Sequence, residues 1–470
     1  MTKGKDMKRI LLIAILTLAL VLCFSVTAMA EDINPAQDTN GMVLSGDLAK
    51  GETVSYDMTI LSGTLEYEFT CTGGKAGILI VDKETGTSLI SDTFVKEGET
   101  RTKARELEAG TYTVVIRNDS TNTAHPDASY SYSIRFTSAG ETYSMPNDTI
   151  PTSSGPIKFD REIVGHFAIN DRQDIYRFDL EKSGRVTFKV TGMNETRLTL
   201  MKGTGESVPK YPTGLGDKSN ETVSYDLLPG IYYAQFGQFS GEGIYNLTVS
   251  FKDAKETYVD EAASGQPVNG SKSIILNKKV KGQLAENDPD DLYTVYIPKA
   301  GDYNVTVTVD QKYKAMVWPF TVDSMYKSAK YDTRAEYYNQ DSELTRTFIY
   351  RGLKKGKYYI KLADATATGP YSFVVKPAPV YNYKPVAGKK QLTAKWVKGT
   401  GSGYEVWVSL SKKFTKKTGK FVTKPSTVKK VFKNLKGGKR YYVKVRSYVT
   451  YNKKKYPSVW SEITYIKVKK

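Results

Sequence analysis

Two stretches, NDRQDIYRF at 170–178 and NDPDDLYTV at 287–295, carry the same Asn-Asp-x-x-Asp-aliphatic-Tyr phrase, with Asp174 and Asp291 set 117 residues apart. Carboxylates spaced three apart, Asp171 with Asp174 and Asp288 with Asp291, suit acid–base catalysis, cation binding, or no chemistry at all in a solvated turn. Acid–base work needs partners, and the chain has only two histidines, His125 in a polar loop and His166 in VGHFAI. Neither stands in an HExxH motif or beside a serine elbow. Aligning the two phrases sets His166 opposite Gln283, which marks a replaceable strand position. The expectation is a protein with no catalytic residues. Calcium takes several carboxylate and carbonyl oxygens, and a tight loop with two Asp three apart can aim both at one point. An ordinary turn explains the same residues, and the sequence leaves both readings open.

The elements that must position these carboxylates repeat as well. Glu141-Thr142-Tyr143 and Glu256-Thr257-Tyr258 precede the two phrases, 115 residues apart. Gly184 and Gly301 follow the second Asp by ten residues, and Gly63 in LSGTLEYEF is an earlier counterpart. LEAGTYTVVI, LLPGIYYAQF and LKKGKYYIKL place Gly110, Gly230 and Gly356 before paired β-formers, and the units close around Tyr132, Tyr245 and Tyr371. Three copies of one domain result, at 31–140, 141–254 and 255–377. Runs such as RVTFKVTG and DYNVTVTV alternate apolar and polar residues between glycine turns, the pattern of half-buried strands. No competing helical period is present outside the N-terminus. The fold class expected is all-β, as tandem antiparallel sandwiches, with positive φ at the glycine before each GxYY-type strand.

Lys3, Lys5, Lys8 and Arg9, the apolar run from Ile10 to Phe24, and Ala28-Met29-Ala30 together read as a signal peptide at 1–30. Its removal leaves a secreted chain with Cys71 as its single cysteine, so no internal disulfide helps the fold, and Cys71 is expected as a small buried apolar residue. The formal charge of +18 is unevenly spread: residues 378–470 carry +23, the leader +3, and the body at 31–377 carries −8. A basic C-terminal module behind an acidic body speaks to partners rather than to fold.

The NDT at 147–149, the DxxDxY phrase, the SG or AG turn and the late GxYY strand resemble the bacterial pre-peptidase C-terminal domain family, which includes collagen-binding modules of clostridial collagenases. The resemblance implies small jelly-roll sandwiches. It is good for the second and third copies; the first has KGETVSY where the acidic phrase should stand. It also implies linker ligands for calcium: Asn147 and Asp148 beside Asp171 and Asp174, and Asp260 or Glu261 beside Asp288 and Asp291. KKQLTAKWVKGTGSGYEVWVS, FKNLKGGKRYYVKVRSY and YPSVWSEITYIKV resemble a fibronectin type III domain of Gram-positive surface proteins, covering most of 378–470. There Trp396 implies the core tryptophan, Tyr404 its neighbour, and Leu435 with Tyr441 a tyrosine corner.

Ligand candidates follow from composition. In the third copy Trp318, Tyr326, Tyr331, Tyr337 and Tyr338 crowd a segment the second copy largely lacks, suited either to stacking on a saccharide or peptide or to core packing. In the last module Lys412, Lys413, Lys416, Lys417, Lys429, Lys430, Lys453, Lys454 and Lys455 form clusters for an anionic cell-wall polymer, or simply charged edges. The reading is a secreted, surface-associated, non-catalytic binding protein with calcium as its one candidate cofactor, no nucleic-acid partner, and no membrane span after leader removal. Two alternatives stand: an accessory subunit of a secreted peptidase or glycan-degrading enzyme, and a ligand-free spacer.

Overall fold

The computed structural model describes residues 26–29, 42–72, 74–91, 95–96, 98–118, 127–142, 156–192, 196–203, 206–208, 214–215, 220–238, 241–258, 273–286, 288, 290–309, 316–321, 335–342, 345–363 and 368–470. Every regular element among them is a strand. The alternation read from the sequence is met residue by residue. In Gly184–Thr191 the buried positions alternate with half-exposed or exposed ones, and in Ala128–Ser138 Tyr130, Tyr132, Ile134 and Phe136 all point inward.

One strand order occurs three times. In the first copy Met42–Leu48, Ala128–Ser138, Gly63–Thr72 and Thr100–Leu107 form one sheet, and Thr53–Ile60, Gly110–Asn118 and Lys75–Asp82 pair in the other. The second copy repeats this as Glu162–Phe167, Gly243–Asp253, Gly184–Thr191 and Asn220–Leu227, then Gln173–Leu180, Gly230–Gln238 and Thr196–Lys202. The third runs Val280–Leu284, Gly369–Pro377, Gly301–Val309 and Thr345–Leu353, then Asp290–Ile297, Gly356–Ala363 and Met316–Thr321. The first copy thus shares the topology although it lacks the acidic phrase. Its inner faces bury Leu65, Tyr67, Phe69, Tyr112, Val114 and Ile116, with Cys71 fully buried among them.

The last 93 residues form a three-stranded sheet, Asn382–Gly388, Gln391–Trp396 and Lys429–Phe432, and a larger one built on Gly403–Ser409 and Arg440–Tyr451. Trp396 is buried with its ring 5.2 Å from that of Tyr404. The Tyr441 hydroxyl accepts a hydrogen bond from the Lys436 amide at 2.9 Å, so the tyrosine corner forms with Leu435 packed on the core.

By compactness the chain divides into two units. One holds residues 1–179, 187–223 and 230–250; the other holds 180–186, 224–229 and 251–470. The division runs through the second copy. Most of residues 1–30, where the sequence leads one to expect a leader, lies outside the described residues; Val26–Met29 pairs in parallel with Thr53–Ile60. Among the described residues no helix is long and apolar enough to cross a membrane. The expectation of positive φ holds at Gly230 (φ 156°) and Gly356 (φ 158°), whereas Gly110 is not among the positive-φ glycines.

Candidate functional site

The carboxylates of the acidic phrase are withdrawn from water, although Asn170 and Arg172 beside them are exposed. Asp171, Asp174, Asp288 and Asp291 are all buried, at 3, 1, 2 and 1 % exposure, so these carboxylates are not the solvated groups of an ordinary turn. Nor do both carboxylates precede the strand, because Asp174 and Asp291 are the second residues of Gln173–Leu180 and Asp290–Ile297. Each meets a tyrosine from the closing strand of its own copy. The Tyr245 hydroxyl donates to Asp174 at 2.5 Å and lies 2.7 Å from the Tyr176 hydroxyl. In the third copy Tyr371 donates to Asp291, and the Tyr293 and Tyr371 hydroxyls are 2.5 Å apart.

The first copy keeps the tyrosine pair, Tyr56 and Tyr130 at 2.5 Å, with Val54 where the aspartate would be. The partner of Tyr245 in that copy is therefore Tyr130, two residues before the Tyr132 expected from the sequence. Burial drives the Asp174 carboxyl well above the usual range against the Tyr245 hydrogen bond, and the nearby Asp171, Glu141 and Glu108 push it further.

A glycine lies under each of these rings. Gly46 pairs with Tyr130, Gly165 with Tyr245 and Gly282 with Tyr371 across adjacent strands. A Cβ on Gly165 would fall 2.5 Å from Tyr245 Cε1, and one on Gly282 2.5 Å from Tyr371 Cζ; at Gly46 the nearest approach is 3.1 Å. Sequence reasoning passed over all three. Their signal is a near-constant offset: Gly46 stands eight residues before Val54, and Gly165 and Gly282 stand nine before Asp174 and Asp291.

The Glu-Thr-Tyr phrase proves to be a clasp. Thr142 donates its amide to Val164 O at 3.0 Å while its hydroxyl accepts from the Val164 amide at 2.8 Å. Thr257 does the same to Lys281, at 2.9 and 2.8 Å. Glu141, one residue earlier, accepts from the Ser62 hydroxyl at 2.6 Å, and burial raises its carboxyl to about 7. Beside it His166 is fully buried, with Nε2 2.8 Å from Glu106 Oε2. Burial works to raise Glu106, but hydrogen bonds from His166 and Thr64 outweigh it and hold that carboxyl below its ordinary value. An imidazole nitrogen of His166 and carboxylate oxygens of Glu108 and Glu141 all lie within 4.8 Å of one another. The sequence treated His166 as incidental. It meets Glu106 across 60 residues of chain, and no local pattern reports that.

Of the other candidates, Asn147, Asp148, Asp260, Tyr326 and Tyr331 lie outside the described residues, as does His125. Trp318 is on the strand Met316–Thr321, in register with Lys361, and Tyr337 and Tyr338 are on Ala335–Ser342, opposite Phe348 and Thr347.

The basic module is described throughout. Lys412, Lys413, Lys416, Lys417, Lys429, Lys453, Lys454 and Lys455 are exposed, and Lys430 is half-buried. Asn452 and Lys453 both take positive φ, 47° and 61°, in the two-residue hairpin that presents Lys453–Lys455. Lys417 and Lys455 do not stand free in water. Lys417 Nζ lies 3.3 Å from the Trp407 ring centroid, and Lys455 Nζ 4.1 Å from that of Phe421. Around Trp407 gather Trp460 at 4.5 Å, Lys444, and Arg446, which pairs with Glu405 at 2.6 Å. Burial lowers the Lys444 pKa, helped by Lys417 and Arg446. This aromatic and cationic surface was missed, although GYEVWVS places Trp407 on the strand face away from buried Val406 and Val408.

No family model matches the chain. Among curated proteins it is similar to "Collagenase ColA" of Clostridium perfringens (strain 13 / Type A), 24% identical over 242 residues that make up 49% of this chain and 21% of that protein. The match spans about a fifth of that relative's length. Among solved structures, the pre-peptidase C-terminal domain of a collagenase from Bacillus anthracis aligns with 22% of this chain and 99% of that domain, at 19% identity and a TM-score of 0.19. The FN1–FN3 domains of chicken CNTN1 align with 63% of this chain and 97% of theirs, at 12% identity and a TM-score of 0.18. At such scores the overlays add nothing to the strand topology itself.

Proposed function

We propose that this chain is a secreted, non-catalytic binding protein that works at the cell surface, its basic C-terminal module docking on an anionic wall polymer while the sandwiches contact a saccharide or protein ligand. The observation that carries the docking role is the charge division, +23 on 378–470 against −8 on 31–377, with eight of the nine candidate lysines exposed. Such a charge acts through long-range attraction to a polyanion, and lysine's compact ammonium suits phosphate-type groups met as point charges. The similarity to part of a collagenase supports a binding or accessory module, and it also favours a second reading in which the chain serves a separate secreted enzyme. Co-purification of a hydrolase with the tagged chain from culture supernatant would favour that second reading.

Calcium belongs to the same proposal, at Asp171 and Asp174 with Asn147 and Asp148, and at Asp288 and Asp291 with Asp260. Its support is the burial of two carboxyl groups in each copy, whose ionised form an oxygen-seeking cation would stabilise. The docking role is tested by titrating purified chain, with and without 378–470, against isolated teichoic-type polymer at several salt concentrations. Retention of full affinity by the truncated chain would place the role elsewhere.

A further inference from the structure

The His166 group has a built-in comparison within the chain. The strand order and the Glu-Thr-Tyr clasp align Glu108, Glu141 and His166 with Leu228, Glu256 and Gln283 in the following copy. Two of the three positions change together, histidine to glutamine and glutamate to leucine. In the later copy Gln283 Nε2 simply donates to the Gly184 and Leu227 carbonyls, at 3.2 and 3.4 Å. In the earlier one Glu106 engages Nε2, and Nδ1 is left with no hydrogen-bond partner on a residue of 0 % exposure. With Nε2 bound to the Glu106 carboxylate, Nδ1 presents a buried lone pair beside the oxygens of Glu108 and Glu141, and a proton or a metal cation must sit between them.

We propose that His166 through Nδ1, Glu108 and Glu141 form a divalent-cation site of the zinc class, with Glu106 as the carboxylate that orients the imidazole from behind. An imidazole ligand fits zinc rather than calcium, whose partners are oxygens. Ligand atoms about 2.0–2.1 Å from a tetrahedral ion sit roughly 3.4 Å apart, so the present spacing, within 4.8 Å, closes by side-chain rotation alone. The carboxylate on the other imidazole nitrogen fixes the tautomer and raises ligand basicity, the arrangement that zinc-bound histidines use. Glu141 is only half-buried and leaves an entry path. The calcium reading rests on other residues, Asp171 and Asp174, although Glu108 and Glu141 lie close enough to raise the Asp174 carboxyl. Glu108 comes from the first copy and Glu141 and His166 from the second copy's clasp and first strand, so the ion acts as a staple inside one compact unit.

The test is calorimetric titration of the full secreted chain with zinc chloride, in the presence of excess calcium chloride. The expected result is one zinc per chain, with a melting-temperature rise of roughly 5 °C or more at saturating metal. His166→Gln and Glu108→Leu, which install the later copy's residues, should each lower zinc affinity at least about a hundredfold, while a His125→Gln control retains it. Cobalt(II) substitution in the unaltered chain should give visible absorption bands of a low-coordinate nitrogen–oxygen site, a readout that needs no variant to fold. Absence of stoichiometric zinc binding, full displacement by calcium, or binding unaffected in His166→Gln would each overturn the proposal.

Discussion

Replacing Gly165 by alanine tests the geometry that organises the repeats. The added methyl would lie 2.5 Å from Tyr245 Cε1, and ordinary contact requires the ring to retreat by about 1 Å. The ring has nowhere to go. It is fully buried, stacked 4.9 Å from Phe167, and tied through its hydroxyl to Asp174 and Tyr176. Overpacking costs about 1–3 kcal/mol, and stretching hydrogen bonds at a buried carboxylate adds about 1.5–3 kcal/mol. Lower unfolded-state entropy returns about 0.4–1 kcal/mol. The net expectation is a loss of about 1.5–5.5 kcal/mol, or a melting temperature lower by roughly 3–20 °C in a unit of this size. Gly46→Ala provides the control, because its nearest contact is 3.1 Å, to the Tyr130 hydroxyl, and a shift of a few tenths relieves it. That variant should stay within about 1 kcal/mol of the parent. Both sites belong to the same compact unit, so guanidinium denaturation followed by near-ultraviolet dichroism reads them on one transition. Equal stability of the two variants would refute the close-approach account.

Three further outcomes follow from the same structure. Tyr441→Phe removes the acceptor of the Lys436 amide and should destabilise the C-terminal module by about 1–2 kcal/mol in thermal unfolding, while Tyr465→Phe, on an exposed ring, should change nothing measurable. Burial raises the phenol pKa values of Tyr132, Tyr176, Tyr245 and Tyr371, so their contribution to stability is complete below pH 10 and disappears as pH climbs toward the folded-state values. Phenolate absorbance at 295 nm should then rise in two stages, exposed tyrosines near pH 10 and the buried set abruptly with loss of β dichroism; one smooth reversible step with the fold intact would contradict this. Saturating calcium should raise the melting temperature of the full chain, and Asp171→Asn combined with Asp288→Asn should cancel the rise; an identical curve in chelator would remove calcium from the account.

Much of the fold is legible because strand patterning is local. RVTFKVTG announces its alternating face without reference to any other segment, and the tyrosine corner is spelled out in LKGGKRYY within seven residues. What was not legible depends on contacts across the sandwich. Asp and Asn favour turns, so NDRQD reads as a turn until Tyr245 arrives from 71 residues away to cover Asp174. Gly165 inside VGHF looks like a weak point in a strand, and its reason, a ring laid across it, belongs to the neighbouring strand. His166 resembled a spare strand residue because its copy-mate is glutamine; its meaning depends on Glu106 and Glu108, which the first copy supplies. Trp407 was readable from alternation alone and was overlooked in favour of lysine counts.

The central claim is that the basic C-terminal module holds this protein on an anionic polymer. The most direct measurement is equilibrium binding of the purified chain to isolated teichoic-type polymer across a salt series, beside a chain ending at residue 377. Screening over roughly 10 Å at 0.1 M salt and 3 Å at 1 M predicts tight binding at low salt, steep loss as salt rises, and none at any salt for the truncated chain. Affinity that is independent of salt, or that survives removal of 378–470, would contradict the account.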